Sequence, residues 1–394
     1  MKKLALWIMA LILIFNISNA CADRPFNLHT IRPMGMGNTF TAVADDYNAI
    51  YFNPASIAQI DRFDIDVPLK FMVTQDTINL VSKISEISDD LKSSESKNEI
   101  TLGFKNALNQ LLELTDDTLG GETDLSIGWV LPNVKLGGSY FGIGLGAYAQ
   151  FGVKTYIQPV GLPIQEPFNL LNDELIIQAG LDGIISGSIA MMTPMKLIPG
   201  KSSIGLTLKA LNRKYLNNKE NPIILSSLLR EDIDVEKHLD IDKAITRAGV
   251  GFDLGWMCEY NEKLRFGLMI KDISNSLDVD PNFRIGIALK PMKSFTLGKK
   301  LPPVDAIFAM DLDNLNNGDK NRNKKLVDKL HLGTELKIAP FKNRALVLSL
   351  RAGNNQGFLT LGTGLKLLWL LNMDYAYFGD HVADWHTLSL SMSI

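Results

Sequence analysis

The stretch GIGLGAYAQFGVK, from Gly142 to Lys154, decides which fold this chain adopts. Its odd-numbered positions are Ile143, Leu145, Ala147, Ala149, Phe151 and Val153. Its even-numbered positions are Gly142, Gly144, Gly146, Tyr148, Gln150, Gly152 and Lys154. Successive side chains of a strand point to opposite faces, so one face is wholly apolar and the other small or polar. The G-x-G-x-G at its start therefore reads as small positions on one strand face rather than as a phosphate loop. The same alternation returns at Phe63, Ile65, Val67, Leu69, Phe71 and Val73, set against Asp64, Asp66, Lys70 and Thr74. It recurs at Val250, Phe252, Leu254 and Trp256, opposite Gly249, Gly251, Asp253 and Gly255. At the end, Leu388, Leu390, Met392 and Ile394 alternate with Thr387, Ser389, Ser391 and Ser393.

A β-sandwich alternates too, with its apolar face inward. Two features favour a barrel in a membrane instead. Several runs pass ten residues, longer than the usual strand of about five or six and close to what a tilted membrane strand needs. The polar faces also carry full charges in mid-strand, at Asp253, Lys271, Glu335 and Arg351, beside many glycines. Such a face suits a lumen in which charges pair or meet water.

About fourteen such segments follow one another, an even number as a barrel of this type requires. They run at 62–74, 124–136, 139–155, 174–192, 202–215, 246–260, 263–275, 281–291, 303–313, 330–340, 344–353, 357–368, 370–378 and 385–394. The connections alternate in length, with long ones at 75–123, 156–173 and 216–245. Short ones such as Gly137-Gly138, Asn261-Glu262 and Phe341-Lys342 lie between them. Long outer loops opposite short periplasmic turns are the pattern of a transmembrane barrel. It weakens at 292–302, which is long for a periplasmic turn, and at 354–356, which is short for an outer loop. In 75–123 the period changes: Leu80, Ile84, Ile87 and Leu91, then Phe104, Leu108 and Leu111, repeat at helical spacing around a polar Asp89–Lys97. This predicts a pair of amphipathic helices capping the barrel mouth.

The ends fix the compartment. Lys2 and Lys3 precede an apolar run from Leu4 to Phe15 and a short polar stretch, Asn16–Ala22. That is the three-part pattern of a secretory signal peptide over residues 1–22, too short for a stable membrane anchor. Ala20-Cys21-Ala22 fits the cleavage site. In the competing reading Cys21 is lipidated, because residues 17–21 loosely resemble a lipobox, but the expected Leu is missing. Removal of Cys21 leaves only Cys258, so neither a disulfide framework nor a cysteine-based zinc site can form. With 40 Lys and Arg against 43 Asp and Glu, no nucleic-acid partner is indicated.

The stretch GMGNTFTAVADDYNAIYFNPASIA, Gly35 to Ala58, is rich in small residues. It follows no strand and lacks the G-x-G-x-x-G spacing of a nucleotide site. Gly35 and Gly37 permit backbone closed to other residues. Asp45 and Asp46 are positioned to pair with lumenal cations, while Asn53 and Pro54 fix a turn. The stretch resembles the N-terminal signature of the FadL-type outer-membrane family, which includes long-chain fatty-acid transporters, the PorV branch and conjugal-transfer TraF-like barrels. The segments GVGFDLGWMCEYNEKLRFGLMIKDISN, HLGTELKI, RAGNNQGFLTLGTGLKL, NMDYAYFGD and HTLSLSMSI look most like the TraF-like branch. The resemblance implies an all-β fold, a fourteen-stranded antiparallel barrel over 62–394, with 23–61 folded inside as a hatch. Gly35, Gly37, Asp45, Asp46, Asn53 and Pro54 are its candidate gating residues. The final Ile394 departs from the aromatic usual for the barrel-assembly machinery, and 8% aromatic content predicts a thin interfacial girdle.

Other candidates weigh less. Asp311 to Asp319 has the flavour of a calcium loop but lacks the alternating ligands and closing Glu. Asp380, His381, Asp384 and His386 cluster without metal-ligand spacing. No catalytic arrangement stands out, and no cofactor is expected. The leading expectation is an outer-membrane channel, not an enzyme, for passive uptake of hydrophobic small molecules such as long-chain fatty acids, which would enter an apolar pocket near the mouth. The alternatives are a PorV-like platform for secreted proteins, or a structural barrel without transport.

Overall fold

The computed structural model describes residues 30–79, 119–158, 174–193, 200–217, 223–224, 244–273, 281–290, 295–296, 303–316, 325–341, 344–380 and 383–393. Fourteen long strands close into an antiparallel β-barrel. The first seven are β1 (Asp64–Thr74), β2 (Leu119–Val130), β3 (Ser139–Gln158), β4 (Glu174–Thr193), β5 (Lys201–Asn217), β6 (Ile245–Glu259) and β7 (Leu264–Lys271). The others are β8 (Asn282–Leu289), β9 (Pro303–Leu312), β10 (Leu330–Ile338), β11 (Leu346–Asn355), β12 (Phe358–Leu367), β13 (Leu371–Gly379) and β14 (Asp384–Ser393). Each pairs with the next, and β14 returns to β1 in a register running from Asp66↔Ser393 to Thr74↔Trp385. Closure leaves no open edge, the condition for a sheet to survive in lipid. Three short pieces, Val134–Leu136, Ile223–Ile224 and Phe295–Thr296, pair with β3, β4 and β9.

The alternation read in the sequence is the inside–outside pattern of this wall. Along β3, Gly142, Gly144, Gly146, Tyr148 and Gln150 are buried, whereas Ile143, Leu145, Ala149 and Phe151 are exposed. Outward residues elsewhere include Ile185, Ile189, Leu208, Leu254, Leu350, Leu359 and Leu390. An apolar outer face around a polar interior is the arrangement of a membrane barrel, the reverse of a soluble one. No described helix is long and apolar enough to cross a membrane. Exposed aromatic side chains lie both along the strands, at Phe71, Phe151, Phe252 and Phe308, and at the rims. Phe63 and Trp129 meet edge to face at 6.1 Å near the short-turn end, where Phe141, Tyr260, Phe341 and Trp369 are also exposed.

Two details differ from the sequence expectation. β2 starts at Leu119, inside the region expected to be a helical loop. It is separated from Val134–Leu136 at 131–133, where Pro132 has no N–H to give and Leu131 N–H donates to the Ile143 carbonyl. Between β11 and β12 the chain reverses through Gln356 and Gly357, both with positive φ, so the connection anticipated as short is a tight turn. Residues 75–79 are helical. The rest of the expected helix pair, and residues 1–22 with Cys21, lie outside the described residues.

Candidate functional site

The segment Thr30–Ile60 runs inside the barrel and is almost wholly buried. It contains two helices of one turn or little more, Ile31–Gly35 and Ala49–Phe52, and a 3-10 turn, Pro54–Gln59. Its path circles the lumen. Ile31–Gly35 packs on β12 and β13, and Thr41 reaches β7 and β8. Asn53–Ala55 then lies on β5 and β6, and Ile57 against β3. Asn133, just past β2, closes the circuit: it donates through its backbone N–H to the Ile60 carbonyl and through Nδ2 to that of Ala58.

The inward glycines are where this segment sits. A β-carbon at Gly142 would lie 2.6 Å from the Ile57 carbonyl oxygen, and one at Gly255 would lie 2.9 Å from the Pro54 ring. Gly205 meets Pro54 and Ala55, and Gly267 meets Thr41 and Ala42, in the same way. Gly35, on the segment itself, lies with its Cα against Gly362 of β12. The glycines read from sequence as small lumenal positions are thus a track fitted to the backbone of the inner segment. Gly37 is a separate case: its φ of 63° is open chiefly to glycine, and its carbonyl meets Nδ1 of His331 at 2.9 Å.

Charge fixes the first half of the segment. Arg32 Nη1 donates to Asp45 Oδ1 at 2.7 Å and to Asp46 Oδ2 at 2.6 Å. Its Nη2 and Nε donate to Glu335 of β10 at 2.6 and 3.0 Å, a two-pronged contact. Arg351 of β11 reaches the same Glu335 at 2.9 Å and Asp374 of β13 at 2.7 Å. Lys290 holds the other side of Asp45 at 3.1 Å, and Lys337 lies 3.4 Å from Glu335. Cations and carboxylates balance, which is what lets so buried a cluster remain ionised. Burial alone would raise the Asp45 carboxyl, but Arg32 first, then Lys290 and Lys337, hold it well below the usual carboxylate range. Burial works against the Arg32 cation as well; Asp45, Glu335 and Asp46 outweigh it and push its pKa up. Burial also pushes up the Tyr47 and Tyr51 hydroxyls.

Hydrogen bonds complete the seating. Asp311, at the end of β9, accepts from the backbone N–H groups of Phe40 and Thr41 at 2.9 and 3.0 Å, from the Thr41 hydroxyl at 2.8 Å and from Arg284 at 3.0 Å. Asn53 accepts from the Ala55 N–H, capping the 3-10 turn, and donates to the carbonyls of Thr41 and Trp256. The structure thus joins Asp45 and Asp46 in one charge cluster, while Gly35, Gly37, Asn53 and Pro54 are contact points spread around the circuit. Sequence reading missed Arg32, Arg284, His331 and Asn133, and took Asp311 for the start of a calcium-loop candidate rather than for a partner of the inner segment. Glu335 and Arg351 stood out as charges in mid-strand, the signal that pointed to pairing in the lumen.

Toward the long-loop end the described wall is polar. Lys70 pairs with Asp124, which also accepts from the Tyr148 hydroxyl. Arg213 grips Asp182 through two bonds of 2.7 and 2.6 Å, and Lys209 meets Asp253 and Asp272. Apolar surface is gathered on one side, where Ile31 and Met34 pack with Met72, Ala376, Phe378 and Trp385. Among the remaining candidates, Asp313 lies 3.5 Å from His331, and the His386 ring bonds the Tyr375 hydroxyl and Gln75. His381 lies outside the described residues.

Several solved barrels are similar to the chain at low identity. They include the toluene transporter TbuX of Ralstonia pickettii, at 10% identity and a TM-score of 0.45, covering 93% of this chain and 97% of that one. They also include the toluene transporter TodX of Pseudomonas putida, at 9% identity and a TM-score of 0.41, covering 92% and 95%. No curated protein sequence matches the chain. The family described as "F plasmid transfer operon, TraF, protein" matches residues 50–300, from within the inner segment to the approach to β9. That span is more than half of the 394 residues, and it agrees with the branch the sequence most resembled: the chain belongs to the TraF family of the F plasmid transfer operon.

Proposed function

We propose that this protein is an outer-membrane channel for passive movement of hydrophobic small molecules, with residues 23–61 as its hatch and 62–394 as its barrel. The observation that carries the proposal is the seating of Thr30–Ile60 across the lumen on the Arg32 charge cluster. Passage requires that segment to shift, and Arg32 is its latch, because the same guanidinium binds carboxylates of the hatch and of the wall. The named relatives, two toluene transporters, fit a hydrophobic permeant, and long-chain fatty acids are a further candidate class. The buried apolar cluster of Met34, Met72, Phe378 and Trp385 is the best-suited receiving site once the hatch has shifted, since a hydrocarbon there exchanges one apolar contact for another at roughly 25 cal/mol per Å². Gly35, Gly37, Asp45, Asp46, Asn53 and Pro54 set the seat, and their disturbance loosens the gate.

A sideways exit into the bilayer also has support. The β1–β2 ladder passes from Asp66↔Gly128 to Leu69↔Leu125, omitting Val67 and Pro68. Proline cannot donate to a ladder, and the Tyr47 ring of the hatch lies against Gly128 beside the gap.

The test is uptake of a radiolabelled long-chain fatty acid and of toluene into liposomes carrying the purified protein, with mass spectrometry of lipids extracted from the same preparation. Faster entry than into empty liposomes, together with an enriched hydrophobe in the extract, supports the channel. Neither effect, with secreted proteins recovered in a pull-down, points instead to an interaction platform.

A further inference from the structure

Charge is divided unevenly between the two ends of the barrel. The six connections between long strands at the short-turn end are 131–138, 194–200, 260–263, 290–302, 339–345 and 368–370. Together they carry nine Lys and Arg and a single acid, Glu262. The seven connections at the long-loop end carry 25 Asp and Glu against 13 Lys and Arg. Solubility alone is served by mixed signs, and the whole chain is acidic, with a net charge of -3. An excess of cations confined to the short-turn end is therefore a property of that end.

The described cations there are open to a partner. Lys135, Lys201, Lys263 and Arg344 are all exposed. Lys135 lies 5.6 Å from the Tyr140 ring, and Arg344 makes a 3.1 Å surface pair with Asp305. The four stand at the β2–β3, β4–β5, β6–β7 and β10–β11 turns, spread around the ring rather than gathered on one side. A compact protein would cover only part of such a ring, and lipid headgroups surround the wall rather than lie across its turn tips. A flat polyanion lying across the end meets all four at once. A single exposed ion pair contributes little, but several engaged together gain through effective concentration.

We infer that the short-turn end is a docking surface for peptidoglycan, a sheet polymer whose stem peptides carry free carboxylates, with Lys135, Lys201, Lys263 and Arg344 as its contacts. The inference rests on the barrel spanning an outer membrane, as proposed above, and is independent of transport.

The test is cosedimentation of the detergent-purified mature chain with isolated peptidoglycan sacculi. Raising the salt from about 0.1 M to about 1 M shortens the screening length from about 10 Å to about 3 Å and is expected to cut retention at least about fivefold. At the lower salt, Lys201→Glu with Lys263→Glu should cut it by a similar factor. Lys214→Glu with Lys325→Glu, at exposed positions toward the long-loop end, changes the net charge equally and should leave retention within about twofold of the parent. Sacculi whose carboxylates have been amidated should retain little of any variant. Equal losses from the two charge-reversed pairs would reduce the effect to net charge and overturn the inference. Salt-insensitive retention, undiminished retention on amidated sacculi, or capture by phosphatidylglycerol liposomes that depends on Lys201 and Lys263 when capture by sacculi does not, would overturn it too. A gel shift on boiling, run on every sample, keeps the two readings apart. A parent that does not shift removes the barrel itself, whereas shifting samples that fail on sacculi remove only the docking surface.

Discussion

At the scale of single residues, Arg32 carries more of the inner segment's attachment than any glycine. It is the only group to bind Asp45, Asp46 and Glu335 together among the described residues. Removing Arg32 takes a shared cation from three carboxylates, of which Asp45 keeps Lys290 and Glu335 keeps Arg351 and Lys337, so the cost is at most that of a fully broken buried pair, about 3–5 kcal/mol. Arg32→Ala is therefore expected to lower the unfolding temperature in detergent and to speed protease cutting within 30–60. Arg32→Lys should fall between the two, since an ammonium cannot make the two-pronged contact to Glu335. The pH dependence has a definite sign. The Asp45 carboxyl is held well below its ordinary value in the folded protein, chiefly by Arg32 against the opposing effect of burial. Its contribution is thus fully present above the unfolded value of about 3.9 and is lost only as pH falls through the lower folded value. Protease resistance of the segment should be flat from pH 7 to pH 5 and decline only in strong acid. A decline centred near pH 6 would show that another group controls the seat. Asp45 and Asp46 were legible as charges awaiting partners. Arg32 was not, because its wall partner Glu335 lies 303 positions away and periodicity reports faces, not neighbours across a lumen.

At the scale of elements, strands were the most legible feature, because period-two alternation records directly which face meets lipid. Their ends were read to within a few residues almost everywhere. The exception is β2, whose first residues, Leu119-Gly-Gly-Glu-Thr123, show no strong alternation and follow a helical pattern. The glycines were legible as small but not as a track, since what they fit is another part of the chain. That fit makes a sharp prediction. Gly205→Ala forces a methyl group into the backbone at Pro54–Ala55, and Gly255→Ala forces one into the Asn53 side chain and the Pro54 ring; each should cost about 1–3 kcal/mol, seen as a lower unfolding temperature. Gly187→Ala, where the nearest atom is a Leu145 methyl at 3.9 Å, should be close to neutral. Equal effects at all three sites would remove the case for a fitted seat. The ladder gap can be tested as well: Pro68→Val supplies the missing N–H. It should slow uptake of a hydrophobic solute if molecules leave sideways between β1 and β2, and leave it unchanged if they leave through the lumen.

At the scale of the whole molecule, a closed wall and a filled lumen together define the protein. The wall follows from sequence pattern alone, and closure by pairing of β14 with β1 is its structural expression. The filling depends on contacts between residues 30–60 and nearly every strand, which no local pattern encodes. Its physical logic is a division of labour: an apolar core around Phe40, Ile50, Phe52 and Ile57 supplies burial, whereas the charge cluster is the release point that the proposed function requires. The measurement that bears most directly on this account is single-channel conductance in planar bilayers, comparing the parent with Arg32→Ala at matched insertion. The account predicts a parent that is closed most of the time and a variant with frequent, long-lived openings, both still shifting on a gel when boiled. A parent that conducts steadily, or a variant that stays as closed as the parent although its segment 30–60 has become protease-sensitive, would contradict it.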